Sequence, residues 1–149
     1  MIRVLVSEAP IDVGAEMAIA EAAGGTQGGA VATFTGLVRG DDGVTELTLE
    51  HYPGATERAL EELCTKASRR WTLSGVTIIH RVGPMRPGER IVFVAACSAH
   101  RAAALDACAF LIDRLKTDAP FWKRERVGGS TRWVDARHAD DTAAAKWRS

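Results

Sequence analysis

The sequence predicts an α+β fold in which helices pack on a mostly antiparallel sheet, within a single domain that spans residues 1–149. Segments rich in β-branched and aromatic residues alternate with segments whose apolar residues recur at helical spacing. The chain has 149 residues, of which 46% are hydrophobic, and a chain of this size can bury a core without disulfide or metal support. No repeat, low-complexity stretch or linker divides it.

The first third of the chain predicts a strand, a helix and a hairpin. Apolar residues alternate over residues 2–6, which is typical of a strand. Residues 12–23 are rich in alanine and precede two glycines, as expected of a helix and its end. Residues 29–39 and 45–52 favour strands, and because the glycine-bounded segment 40–43 separates them, we expect a hairpin.

The remaining elements are two helices and three strands. Pro53 suits the first turn of a helix, and Ser98 can cap another that Pro120 ends. Residues 76–82 and 91–96 are predicted strands on either side of a proline-glycine turn, a short strand lies near residues 132–134, and a polar tail covers residues 138–149. The apolar stripes of the two helices are Leu60, Leu63, Cys64, Ala67 and Trp71, and Ala104, Cys108, Leu111, Ile112 and Leu115.

Charge and cysteine content limit the function classes. The 19 basic and 19 acidic residues give a net charge of zero, which disfavours a protein that coats nucleic acid or an anionic membrane. The charges are nevertheless divided, with a net of −5 over residues 1–79 and +5 over residues 80–138. Three separated cysteines without a CxxC pair indicate reduced thiols, and no apolar run has the length of a signal peptide or a membrane span, so we expect a cytoplasmic protein.

Two basic segments in the second half are candidates for anion binding. His100 and Arg101 fall in the first turn of a predicted helix, where the helix dipole favours negative charge, so they either hold an anion there or point to solvent. Lys116 ends the same helix, where a cation is expected on stability grounds alone. Lys123 follows two aromatic residues and is either an acid, base or nucleophile or part of a solvated basic edge.

These four cations and Arg39, which closes a predicted strand, form the candidate anion site. His80 lies in an apolar strand and is interpreted as a hydrogen-bonded core histidine. The sequence contains no cluster with metal-ligand spacing and no glycine-rich phosphate loop, so neither a metal nor a cofactor is predicted.

Five motifs in one order resemble the family of large, catalytic subunits of molybdopterin synthase, the MoaE family. Together they extend over residues 31–125, and the similarity continues to Arg137. The motifs are V-x-T-F-T-G-x-V-R from Val31, L-x-L-E-H-Y-P-G from Leu47, H-R-V-G from His80, S-A-H-R from Ser98 and L-K-T-x-A-P-F-W-K-R-E from Leu115.

The resemblance implies a fold of the α/β-hammerhead type and a role in molybdenum cofactor biosynthesis. Members of the family convert cyclic pyranopterin monophosphate, also called precursor Z, into molybdopterin by adding two sulfurs as a dithiolene. The sulfur comes from the C-terminal Gly-Gly thiocarboxylate of a small ubiquitin-like subunit, and a homodimer of large subunits forms the centre of a heterotetramer. Because the partner brings the sulfur, no catalytic cysteine is required.

The resemblance also assigns site residues. Lys116 and Lys123 match the catalytic lysines of the family, to which we assign proton transfer and the stabilisation of developing negative charge. Leu37 stands where some relatives carry lysine, and the loop 40–43 is shorter than in several of them. The substrate-binding set comprises Leu37, Val38, Arg39, His100, Arg101, Lys116, Lys123, Arg124, Glu125 and Arg137, with His100 and Arg101 expected to reach across the dimer.

Two other functions remain open at this point. A non-catalytic phosphate- or nucleotide-binding module could use the same basic pocket, although a glycine-rich phosphate loop is missing from the sequence. A regulatory scaffold could use the dimer only to dock partners. A purified chain that captures a Gly-Gly peptide would distinguish the synthase subunit from the phosphate-binding module.

Overall fold

The computed structural model describes residues 1–134, 144, 145 and 147. Within residues 1–134 it contains three α-helices and eight strands. In chain order they are β1 (Ile2–Ser7), α1 (Val13–Ala22), β2 (Ala30–Leu37), β3 (Val44–His51), α2 (Ala55–Arg70), β4 (Gly75–Arg81), β5 (Gly83–Met85), β6 (Arg90–Ser98), α3 (Arg101–Asp118), β7 (Phe121–Val127) and β8 (Ser130–Val134).

The strands form two four-stranded sheets. The first sheet has the order β1-β4-β6-β2, and the second has the order β5-β3-β7-β8. Among the strand pairs within residues 1–134, β1–β4 is parallel and the others are antiparallel. The predicted α+β class with a mostly antiparallel arrangement is therefore confirmed, and the structure adds that the strands divide into two sheets.

The predicted hairpin is wrong, because β2 and β3 lie in different sheets. β2 pairs with β6, and β3 pairs with β5 and β7. The reason lies in β6, where Val92, Phe93 and Val94 are completely buried, so that this strand has no solvent-facing side and needs a neighbour at each edge. β4 and β2 supply these neighbours, and the segment after β2 carries the chain to the second sheet.

The helices bury most of the predicted stripes, but Ile112 is only partly buried, Trp71 follows the end of α2, and the starting points of the helices differ from the predictions. α2 begins after Gly54, so Pro53 precedes the helix instead of lying in its first turn. α3 has His100 at its N-cap position without a side-chain cap. Ser98 does not cap α3 because it still belongs to β6: its hydroxyl donates to the Thr72 carbonyl at 3.0 Å and accepts from the His100 N–H at 3.3 Å.

The core lies where α2 and α3 cover the first sheet. α3 packs on β2 and β6, while α2 packs on β1 and on α3. Leu60 from α2 and Leu111 from α3 are almost completely buried in this layer. No helix within residues 1–134 combines the length and the apolar composition that crossing a membrane requires.

Part of the predicted polar tail contacts the core. Trp147 packs edge-on against Trp71 and Phe110, with ring centroids 5.8 Å apart in each case, and its indole Nε1 donates to Asp113 at 2.7 Å. The guanidinium of Arg70 lies 5.1–5.6 Å from the centroids of all three rings. The other residues of 138–149, apart from Ala144 and Ala145, lie outside the described residues.

Candidate active site

A cavity of about 360 Å³ lies between the two sheets, at the C-terminal end of α3. Its size is within the range of small-molecule sites. Aliphatic side chains line most of it, and the polar side chains among them are few. The polar and charged lining residues are Arg39, His80, Lys116, Lys123 and Glu125, and the apolar ones are Leu37, Val38, Val44, Leu47, Leu49, Ile91, Leu115, Ala119, Phe121 and Val134.

The turn between α3 and β7 brings the two lysines to this cavity. Lys116 lies in the last turn of α3, which ends before Pro120. β7 begins at Phe121, and because side chains of a strand alternate between its faces, Phe121, Lys123 and Glu125 share the inner face. A short stretch of chain therefore places two lysine side chains in the lining of one cavity.

The segment after β2 forms the mouth of the cavity. Val38 is buried and is fixed by two backbone bonds, because its N–H donates to Glu89 at 2.9 Å and its carbonyl accepts from Gly88 at 2.8 Å. Arg39 follows with an exposed side chain, whose Nε lies 3.3 Å from a carboxylate oxygen of Asp41. The mouth thus carries a guanidinium that can turn toward a ligand without losing core contacts.

A second recess of about 280 Å³ shares Arg39 and Glu125 with the cavity. Arg132, opposite Glu125 in the β7–β8 pair, lines this recess and donates to the Glu125 carboxylate at 3.1 and 3.2 Å. Glu125 therefore has a cationic partner on the neighbouring strand. The cavity carries three cations against one carboxylate, whereas Asp41 and Asp42 also line the recess, so the excess of positive charge is confined to the cavity.

His80 is the functional candidate that sequence reasoning missed. The interpretation as a buried, hydrogen-bonded histidine is confirmed, since the ring is 3% exposed and its Nδ1 lies 2.8 Å from the carbonyl oxygen of Arg81. Burial, reinforced by the positive charges of Lys116 and Lys123, lowers the pKa of His80 to about 3. The ring also lines the cavity, a contact that depends on pairing in the fold and leaves no local signal in the sequence.

Three of the predicted site residues that the structure describes do not line this cavity. His100 and Arg101 lie at the opposite end of α3 from Lys116, about 22 Å away along the helix axis at 1.5 Å per residue. Arg124 projects from the outer face of β7, where it pairs with Glu50 and lies over the ring of Trp133. Arg137 falls outside the described residues.

The three cysteines are not placed for chemistry in this cavity. All three are buried and unbridged, as the sequence predicts, and none lines it. Burial raises the pKa of the Cys64 thiol to about 12 and that of the Cys108 thiol to about 11. Burial also raises the pKa of Cys97, whose Sγ donates to the Ala20 carbonyl at 3.0 Å. Among the described residues, no three His, Cys, Asp or Glu side chains group as metal ligands.

Comparison with known proteins places this architecture in a family. The family model described as "MoaE protein" matches residues 6–118. The chain belongs to the MoaE family. The matched range contains the whole first sheet except the beginning of β1, together with α2, α3 and Lys116.

Relatives within the MoaE family match over nearly the whole chain. The molybdopterin synthase catalytic subunit of Salmonella typhimurium is 52% identical over 148 residues, which cover 97% of each chain. The protein of the same name from Escherichia coli is 50% identical over 149 residues, again with 97% of each chain covered. Among solved structures, molybdopterin cofactor biosynthesis protein E from Burkholderia multivorans is 48% identical and superimposes with a TM-score of 0.84, covering 99% of this chain and 97% of that one.

Proposed function

We propose that this chain is the catalytic subunit of a molybdopterin synthase and transfers sulfur from the C-terminal thiocarboxylate of a small ubiquitin-like subunit to cyclic pyranopterin monophosphate. The observation that carries the proposal is the convergence of Lys116 and Lys123, from two different elements, on one partly enclosed cavity of mixed polar and apolar lining. The shared name of the relatives supports it, and the word subunit in that name agrees with a partner chain.

The charge of the cavity suits two anions. The substrate carries a phosphate and the partner's tail carries a thiocarboxylate, so bringing both into an apolar site requires cations that are already in place. Lys116 and Lys123 line the cavity and Arg39 lies at its mouth, so three cations face a single carboxylate, that of Glu125. No carboxylate of the described chain lies within 4.0 Å of the Lys123 ammonium nitrogen to neutralise it.

The chemistry fits groups that move protons and stabilise an oxyanion. In each round the tail sulfur bonds to a substrate carbon and displaces an oxygen substituent. Water then adds to the thioester carbonyl, and cleavage of the carbonyl–sulfur bond leaves the sulfur on the substrate and a carboxylate on the tail. Lysine ammonium groups stabilise the tetrahedral oxyanion and supply the proton for the displaced oxygen. The partner brings the nucleophile, which agrees with three buried cysteines of raised pKa.

The cations at the start of α3 belong to a different part of this proposal. His100 and Arg101 are about 22 Å from Lys116 along the helix, so one chain does not use all these cations on one ligand. We assign them to the phosphate site of the adjacent copy in a homodimer, which forms the centre of a heterotetramer with two small subunits. Arg137 is assigned to the same phosphate site on the resemblance alone.

Reconstitution tests the function directly. The purified chain, a thiocarboxylated small subunit and precursor Z are mixed, and the dithiolene product is measured. We expect product from the wild type and a loss of at least about 100-fold in Lys116→Ala and Lys123→Ala, since each removes a charge or a proton donor from the reacting centre. Product formation at the wild-type rate by both variants would contradict the roles of the lysines, and no product from the wild type would contradict the function.

Arg126→Ala is the matched control for Lys123→Ala. Arg126 lies in the same strand, is exposed, and does not line the cavity. Its removal changes the net charge by the same amount as the lysine variants. A rate close to that of the wild type would assign the loss in Lys123→Ala to the cavity and not to the overall charge.

A further inference from the structure

His80 joins the two sheets at the inner end of the cavity. It lies in β4 of the first sheet, and its imidazole stacks on the ring of Phe121 in β7 of the second sheet. The ring centroids are 4.0 Å apart and the ring planes differ by 22°. Phe121 is the first residue of β7, between the positions of Lys116 and Lys123, so this stack fixes the turn that carries both lysines.

The hydrogen bond of the imidazole determines its tautomer. A carbonyl oxygen only accepts, so the contact of 2.8 Å between Nδ1 and the Arg81 carbonyl places the hydrogen on Nδ1. A neutral imidazole with a hydrogen on Nδ1 has its lone pair on Nε2. Since the pKa of His80 is lowered to about 3, the ring stays neutral near pH 7 and offers Nε2 only as an acceptor.

The groups around this ring are mainly cationic or apolar. α3 contributes Lys116, β7 contributes Lys123, and β3 contributes His51, each of which acts electrostatically on the imidazole. At the paired backbone positions, β1 contributes Val6 and β6 contributes Val92, neither of which is charged. The remaining charged groups that line the same cavity are Arg39 and Glu125.

We propose that His80 is a positioning residue of the sulfur-transfer site, whose unprotonated Nε2 accepts one hydrogen bond from a lysine ammonium group of the cavity when the ligands are bound and so fixes its direction. This inference rests on the proposed function. Lysine has a flexible four-carbon chain and a point charge, so an apolar cavity alone does not orient it. A neutral acceptor orients an ammonium group and leaves its charge available for an anionic ligand, whereas a carboxylate at the same place would neutralise it.

Three variants distinguish the role of the Nε2 acceptor from the roles of the stacked ring and of the Nδ1 donor. His80→Phe keeps a ring that can stack on Phe121 but removes both nitrogens. His80→Asn keeps a donor near the position of Nδ1 for the Arg81 carbonyl and removes the acceptor. His80→Gln places an amide oxygen near the position of Nε2, and so returns an acceptor to the cavity.

We expect His80→Phe and His80→Asn to lower kcat by about 10- to 100-fold, the usual effect of losing a hydrogen bond to a charged group. KM for the thiocarboxylated subunit should change less than about threefold. The high-pH limb of the kcat profile should move to lower pH, because the protonated amine loses an acceptor. His80→Gln should recover a substantial part of kcat relative to His80→Phe.

The proposal is overturned if His80→Phe and His80→Asn, shown to be folded by their thermal unfolding, keep the wild-type kcat and pH profile. It is also overturned if the loss of kcat in the three variants is explained by their decrease in Tm, with no recovery of kcat in His80→Gln. An inactive wild type would instead contradict the proposed function.

A measurement on the wild-type protein requires no activity. In ¹⁵N-labelled protein, long-range proton–nitrogen correlation spectra should show a protonated Nδ1 and an unprotonated Nε2 for His80, with no titration between pH 5 and 9. The opposite tautomer, or a titration within that range, would overturn the inference while leaving the function open.

Discussion

Lys123 and Arg124 are consecutive residues of β7, but their side chains lie on opposite faces of the second sheet. Lys123 lines the cavity together with Lys116, whereas Arg124 pairs with Glu50 on the outer face and lies 5.4 Å from the ring centroid of Trp133. Alternation along a strand thus separates two adjacent cations into one that faces an enclosed cavity and one that lies in a surface network.

The local structure around the two lysines predicts that substitution by arginine lowers kcat to a different extent at each position. Lys116 lies in the last turn of a helix, where the dipole favours a permanent cation, so Lys116→Arg should keep a large part of kcat. Lys123 lies in a strand without this support, and arginine does not give up its proton. If Lys123 transfers the proton, Lys123→Arg should lose at least about 100-fold in kcat.

Steady-state rates of product formation in the reconstituted reaction measure both variants, with Arg126→Lys as the control for an exchange of cations on the same strand. Equal losses in Lys116→Arg and Lys123→Arg would contradict the division of roles.

The buried imidazole of His80 predicts an acid-sensitive fold. Its pKa is lowered from 6.5 to about 3 by burial, so between these values the unfolded chain binds a proton that the folded chain does not. This pKa difference stabilises the folded chain fully above about pH 6.5. As the pH falls below this value, the free energy of unfolding decreases by about 1.4 kcal/mol per pH unit because of this one group.

Urea unfolding between pH 7 and pH 4 measures this slope. His80→Asn lacks the titrating group and should show a shallower decrease in the free energy of unfolding. The same slope in the variant and the wild type would assign acid sensitivity to other groups.

Gly29 lies where the start of β2 touches the chain before α3. Its φ is +71°, and a Cβ at this position would lie 2.7 Å from the carbonyl carbon of Ala99, which is backbone and does not move aside easily. Gly128 also has a positive φ, +60°, but a Cβ there would meet nothing within 4 Å.

We therefore expect Gly29→Ala to destabilise by roughly 3 kcal/mol or more and Gly128→Ala by about 1 kcal/mol. Thermal unfolding should show the difference, at roughly 2–4 °C per kcal/mol for a chain of this size. Equal shifts in Tm would show that backbone strain, and not the clash with Ala99, determines both costs.

The burial of the three cysteines predicts that the native protein resists alkylation. Thiolates are the reactive form, and burial raises the pKa of all three thiols, to about 12 for Cys64 and about 11 for Cys108. Native protein treated with iodoacetamide at pH 8 should be modified slowly and keep its rate in the reconstituted reaction. Mass spectrometry measures the modification, and denatured protein is the positive control. Rapid labelling accompanied by loss of activity would point to a reactive cysteine that the fold does not show.

Local patterns predicted the helices well, because their apolar stripes depend only on spacing along the chain. Leu60, Leu63 and Cys64 are buried as the helical period of α2 requires. The strand partners were not predictable in the same way. The segment 40–43 indicates a change of direction, but nothing in it specifies that β2 completes the first sheet while β3 enters the second.

Six of the predicted site residues, namely Leu37, Val38, Arg39, Lys116, Lys123 and Glu125, line the cavity, whereas its geometry was not predicted. β7 has no alternation of apolar and polar residues, since its inner face carries Lys123 and Glu125 beside Phe121, and so it did not resemble a half-buried strand. The separation of Arg101 from Lys116, in contrast, follows from helix length alone and was available from the predicted helix.

The turn between α3 and β7 makes the number of residues between the two lysines as important as their identity. Removing one residue from 117–122 would shift β7 by one position against β3 and turn Lys123 to the outer face, while Lys116 stayed where it is. Removing two would restore the face but shorten the turn. Loop grafts and alignments in this region should therefore be judged by whether the number of inserted or deleted residues is odd or even. The identity of the aligned residues does not give this information.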